Sequence, residues 1–217
     1  MSAERKISAF DLDCTLLKVT SSFAFAKFLY AQRYFSFAKI ASVVFFTVSH
    51  KLGFLSIEEV HQRAFQNFFF GANAIQIRQF AEQFVTLSVD ELIYQPAIAK
   101  LKEAQRAGEQ VAILSSSPDF LVEPIAKRLG VSHCLATQYA VDKDGCFCHI
   151  SVIVQGRQKA NYLDEWRCTS GCAKEQVTAY SDSFHDLEFL QAAGTAVGVN
   201  VDRKLKAHCH AHGWAMI

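Results

Sequence analysis

Proline is scarce in this chain, three residues among 217, and glycine numbers only 10. With 51% apolar and 20% charged residues, that scarcity excludes a disordered or low-complexity protein and leaves material for a substantial core. An excess of charge is missing too: 22 Lys and Arg offset 21 Asp and Glu to a net +1. There is no global basic footprint of the kind nucleic acid requires, so no nucleic-acid partner is expected. No uninterrupted apolar run reaches the ~18 residues of a membrane span, and Met1 to Lys6 lead into a short apolar segment without a signal-peptide pattern. The seven cysteines lack the C-x2-C pairs of structural zinc sites; Cys146-x-Cys148 and Cys168-x3-Cys172 read as free thiols in a reducing cytoplasm. The length suits one globular domain, or a core with one large insertion.

Short apolar runs at 7–10, 110–114, 177–180 and 195–199 alternate with segments of helical spacing at 96–107, 118–129, 158–166 and 184–193. That alternation predicts an α/β protein with a parallel, Rossmann-like sheet. Gly108 and Gly130 follow two of the helices as C-cap residues. Asp142-Lys143-Asp144-Gly145 predicts a hairpin turn.

Between the first strand and Pro96 the texture changes to proline-free helical spacing. Capping boxes at Ser56 to Glu59 and Asn73 to Gln76 predict helices beginning near 57 and 74, with others near 21–33 and 36–50. Fourteen of the 19 Phe lie between Phe23 and Phe84, so this insertion is expected to have its own small core. Residues 14–57 contain no Asp or Glu but carry Lys18, Lys27, Arg33, Lys39 and Lys51, a segment that attracts anions. Over 35–54 the predicted helix is apolar around nearly its whole circumference. It is buried against other helices, lines a greasy pocket, or touches a membrane surface.

Asp11 and Asp13, two residues apart at a strand end, share one side of extended backbone and can meet one substrate, though a turn after a strand also accounts for them. Ser115, Ser116 and Ser117, before Pro118, put hydroxyls and N–H groups at a predicted helix start. Phosphate binding and simple N-capping by Ser117 both fit. Asp182 and Asp186, four apart after another strand, offer the oxygen ligands that magnesium takes. His208-x-His210-x-His212 would share a face in an extended, exposed terminal segment, with 214–217 as a last edge strand.

Taken in order, these marks resemble the haloacid dehalogenase superfamily, and within it the phosphoserine-phosphatase-like branch. D-x-D-x-T is Asp11-Leu12-Asp13-Cys14-Thr15; the Ser ending an apolar strand is Ser115; the Lys is Lys159, in Gly156-Arg157-Gln158-Lys159, with Lys174 also near in sequence; D-x3-D runs from Asp182 to Asp186. Later segments, Val199 to Asp202 and His212-Gly213-Trp214, are similar to the tail of that branch. The resemblance implies a core of residues 1–17 and 91–217 with a C1-type helical cap at 18–90. It implies Asp11 as nucleophile, forming an aspartyl-phosphate, and Asp13 as acid and then base. Thr15, Ser115, Ser116 and Lys159 would hold the phosphate. Mg2+ would sit on Asp11, the backbone carbonyl of Asp13, and Asp182, with Asp186 in support. Cys14 and Ser181 depart from the Gly or Ser and the Gly usual at those places. Thr20 stands where phosphoserine phosphatases carry the Glu that reads the substrate ammonium, so phosphoserine is not favoured.

The substrate implied is a small or lipid-like phosphomonoester, with Thr20, Arg33 and Lys39 as cap contacts. Relatives acting on phosphatidylglycerophosphate make a lipid phosphate admissible. A phosphotransferase, or a regulatory protein that kept the pocket and lost turnover, are the alternatives.

Overall fold

The computed structural model describes residues 5–51 and 54–217. Seven strands form one sheet: β1 (Ile7–Phe10), β2 (Gln110–Pro118), β3 (His133–Val141), β4 (Phe147–Val152), β5 (Val177–Ser181), β6 (Thr195–Gly198) and β7 (Ala215–Met216), in the order β4-β3-β2-β1-β5-β6-β7. Every pairing is parallel except the β3–β4 hairpin. All four residues of the central β1 are buried, which is why it reads as a short unbroken run. Its alternation still sorts side chains: Ile7 and Ala9 join the apolar cluster on one face of the sheet, Phe10 the cluster on the other.

The insertion after β1 forms α1 (Ser21–Ala31), α2 (Phe37–Lys51), α3 (Ile57–Phe68) and α4 (Ala74–Leu92). The capping box at α3 is complete: Ser56 Oγ accepts from Glu59 N at 3.1 Å, and Glu59 Oε2 accepts from Ser56 N at 2.8 Å. The chain enters and leaves the insertion through one place, because Lys18 N donates to Leu92 O (2.7 Å) and Tyr94 N to Leu16 O (2.9 Å). A second tie joins residues 71–74 to the β3–β4 hairpin, through Gly71 N to Phe147 O, Phe147 N to Ala72 O and Ala74 N to Gly145 O.

The expectation of a separate insertion core is corrected. Its aromatics belong to the same cluster as the sheet face, bridged by Phe120 and Tyr139. Phe25 and Phe69 stand 6.0 and 5.2 Å from the Phe120 ring, and Phe65 stands 5.0 Å from Tyr139. The apolar stretch 35–54 includes residues 52 and 53, which lie outside the described residues. Within α2 one side is open, with Phe37 71% and Phe45 63% exposed. Among the described residues no helix is long and apolar enough to cross a membrane.

The remaining helices are α5 (Gln95–Arg106), α6 (Asp119–Arg128), α7 (Gly156–Thr169), α8 (Leu187–Ala192) and α9 (Arg203–His212). Three local expectations change. Ser115 to Ser117 end β2 just before α6, but Ser117 does not cap that helix: β2 runs on to Pro118, which pairs with Thr137 and precedes Asp119, and Thr137 Oγ1 donates to Ser116 O at 2.7 Å. The triple-histidine segment is helical, because Asp202 caps it by accepting from Leu205 N (2.7 Å) and Gly213 ends it at φ +67°. His208 and His212 therefore stack one turn apart, at 3.9 Å. Finally, 184–193 divides into a tight turn and α8, which puts Asp186 just before the helix.

Candidate active site

Chain order runs outward from β1 through β2 and β3 on one side and through β5, β6 and β7 on the other. The carboxyl ends of β1, β2 and β5 thus flank the switch point at which α/β sheets bind ligands. Asp11 follows β1, its N–H donating to Tyr180 O (2.9 Å) as a continuation of the β1–β5 ladder. The next residues form a tight turn in which Leu17 N reaches Leu12 O (3.0 Å), with Cys14 at φ +60°. That left-handed conformation accounts for the Gly usual at this place. The Cys14 thiol is pushed up to about 11 by burial, then by the charges of Asp182 and Asp13, so it remains protonated.

Lys159 is the densest point of charge. Its Nζ donates to Asp11 Oδ1 at 2.6 Å and to Asp186 Oδ2 at 2.7 Å, and its side chain is 2% exposed. Burial alone would neutralise it; Asp11 and Asp186 outweigh burial and hold it cationic. The approach of α7 that delivers Lys159 depends on Gly156: a Cβ there would lie 2.3 Å from His185 O. Gln158 Oε1 accepts from Gln155 N at that helix start. Ser181 also explains itself, because its Oγ donates to Asp186 Oδ2 at 2.7 Å and fixes the carboxylate that Lys159 meets.

Asp13 is held differently. Oδ1 accepts from Ser21 N at 2.5 Å and Oδ2 from Ser117 Oγ at 2.6 Å; Ser117 Oγ in turn lies 3.0 Å from the hydroxyls of both Ser21 and Ser22. Ser117 therefore couples Asp13 and β2 to the first turn of α1. The sequence marks it only as one serine in a row of three.

Asp11, Asp13, Lys159, Asp182, Asp186, Ser116 and Thr20 all line one cavity of about 590 Å³ that reaches into the insertion. Thr15 and Ser115 do not. Thr15 Oγ1 donates to Asp182 Oδ1 (3.3 Å), and Ser115 Oγ accepts from Ser117 N (3.1 Å), both side chains being fully buried. Arg33 and Lys39 are likewise absent from the cavity wall. Arg33 sits in a left-handed turn after α1, and the Lys39 ammonium lies over the Phe35 ring at 4.8 Å. Lys174 begins a turn before β5, away from this wall.

The charges facing the cavity do not balance, with four carboxylates against the one ammonium of Lys159 among the described lining residues. Burial raises Asp11 to about 7 although Lys159 opposes it, and Asp186 and Asp13 push the same way as burial. Burial, then Asp11 and Asp186, raise Asp182 to about 8. Among the described residues no three His, Cys, Asp or Glu side chains gather as a complete metal cage. Two oxygen-donor carboxylates in an electronegative cleft nevertheless fit magnesium, which binds through one or two carboxylates and retains water.

An α/β sheet with a helical insertion over its switch point, and a buried Asp-Lys-Asp cluster beneath it, defines a hydrolase of the capped Rossmann-like class. The haloacid dehalogenase-like hydrolase family matches residues 9–191, and the chain belongs to it. A phosphoserine phosphatase of Mycobacterium tuberculosis is 28% identical over 94% of this chain and 68% of its own length. A histidinol-phosphatase of Neisseria meningitidis is 24% identical over 98% of each. Among solved structures, a protein of unknown function from Bordetella pertussis superposes with TM-score 0.87 at 23% identity, over 99% of both chains.

Proposed function

We propose that this enzyme is a magnesium-dependent phosphomonoester hydrolase working through an aspartyl-phosphate on Asp11. One observation carries the reading: a buried carboxylate paired to a buried lysine, Asp11 with Lys159 at 2.6 Å, shares a cavity wall with Asp13. Asp11 attacks phosphorus, and the new O–P bond forms as the bond to the alcohol oxygen breaks. Asp13 gives its proton to that oxygen, then takes one from the water that cleaves the acyl phosphate, which returns both residues to their starting forms. The Ser117 hydroxyl suits both states of Asp13, since an O–H donates to a carboxylate and turns to accept from a carboxylic acid. Lys159 neutralises the non-bridging phosphate oxygens, with Ser116 on the same wall. Magnesium, held by Asp11, the backbone carbonyl of Asp13, and Asp182, supplies positive charge against phosphate and carboxylates when bound.

The same reading makes residues 18–90 the cap that shields the reaction from water. It places phosphoserine outside the preferred substrates: Thr20 brings a hydroxyl where an ammonium needs a carboxylate, and the insertion contributes no acidic side chain to the described cavity wall. Asp11→Asn should reduce phosphate release from an aryl phosphate to the uncatalysed rate, and EDTA should do the same to the parent enzyme until magnesium is restored. Turnover surviving either treatment would overturn the mechanism.

A further inference from the structure

We propose that the part of the cavity beneath α1–α3 receives an apolar alcohol moiety, so that the substrate is the phosphomonoester of an alkyl or aryl alcohol without an ammonium group. This rests on the phosphatase reading above and extends it from the phosphate to the rest of the molecule. At about 590 Å³ the cavity falls in the range of small-molecule sites and exceeds what a phosphate alone fills. The core and the insertion line it with different chemistry. The core supplies Asp11, Asp13, Lys159 and Asp182; the insertion supplies Phe35, Phe46, Ile57, Val60, Ala64 and Phe68. The polar side chains that the insertion adds are Thr20, Ser22 and His61, and no Asp, Glu, Lys or Arg of the insertion is among the described lining residues. A polyol or amino alcohol would surrender more hydration against phenyl rings than those three side chains replace, whereas an apolar body gains by burial.

The wall that α2 contributes is also apolar. Val44 and Val48 of α2 line the cavity and are each 48% exposed.

The probe is a series of n-alkylphosphonates from two to ten carbons, kept below their aggregation concentrations, titrated calorimetrically into the magnesium-loaded enzyme. The matching alkyl phosphates are assayed for turnover in parallel. Each added methylene should lower Kd by roughly fourfold until the cavity is full. Ala64→Trp, which places a ring in the wall, should move the end of that gain to a shorter chain. Should this variant fail to fold, the smaller change Ala26→Leu, from α1, tests the same cavity. Affinity that is flat across the series, or tighter binding of an aminoalkylphosphonate than of the alkyl one of equal length, would overturn the assignment. The two readings separate cleanly. Affinity that climbs with chain length while no alkyl phosphate is hydrolysed retains the apolar site and removes the phosphatase; turnover with flat affinity does the reverse.

Discussion

At the carboxyl edge of the sheet the chain is held by directional contacts between ions and hydroxyls; in the insertion it is held by rings. Asp11, Lys159, Asp186 and Ser181 form one buried network whose distances all lie between 2.6 and 2.7 Å. The insertion relies on aromatic pairs such as Phe25 with Phe84 at 5.6 Å and Tyr34 with Phe80 at 5.1 Å, whose packing tolerates many orientations. The division matches the task of each region. Phosphoryl chemistry is the same for every phosphomonoester and needs fixed charges, while the remainder of a substrate varies and is met by a surface free to vary with it.

Damage to the two regions should therefore read out differently. Lys159→Met leaves two buried carboxylates without their cation: turnover should vanish and stability fall by about 3–5 kcal/mol, measured by urea denaturation in EDTA. Its counterpart Phe65→Ala, which empties a fully buried ring site, should cost a similar ~3–5 kcal/mol yet keep turnover of a small aryl phosphate at temperatures where the variant is folded. Equal loss of chemistry from both would erase the distinction.

A subtler break falls at the junction. Ser117→Ala removes a hydrogen bond to a charged group worth about 1.5–3 kcal/mol, so kcat should drop roughly 10- to 100-fold while KM changes little, and Ser117→Thr should restore it. An unchanged kcat would show that Ser21 N alone orients Asp13.

The smallest effect lies at the start of α9, where Asp202 N donates to the carbonyl of Asp182 at 2.8 Å. Removing the cap with Asp202→Ala should cost about 0.5–2 kcal/mol and lower Tm by about 1–8 °C. Burial would raise the Asp202 pKa, but hydrogen bonds from the Leu205, Phe184 and Lys204 backbone and the Ser183 hydroxyl outweigh it, and the net shift is downward. Its stabilisation is therefore complete above the ordinary carboxyl range near 4 and fades as pH falls through the depressed folded value. Asn keeps the acceptor but not the charge, so the Tm gap between parent and Asp202→Asn should narrow on acidification; a gap constant from pH 7 to pH 3 would contradict this.

The parallel sheet, the hairpin at Asp142 and the helix starting at Ile57 were legible because each signal is local: a buried run, a turn pair, a capping box. The residues meeting around Asp11 were legible for another reason, namely that motif order stands in for distances of 148 and 27 positions between Lys159 and its partners. What escaped depends on contacts that no short window contains. Ser117 looks like an N-cap until Thr137 holds Ser116 in the strand. The aromatic insertion looks self-contained until Phe120 and Tyr139 are placed beneath it. The histidine triplet fits an extended period of two, and only Asp202 and Gly213, weighed together as start and stop, favour α9 over it.

The bonds between Lys18 and Leu92, and between Tyr94 and Leu16, give the molecule a single doorway. Whatever is spliced between those two posts must match their spacing, as a guest on a hairpin does. A foreign lid of another shape grafted at this threshold would also have to forge anew the pairing at residues 71–74, the apolar cover over Phe120 and Tyr139, and the Ser21 and Ser22 contacts that steady Asp13 and Ser117.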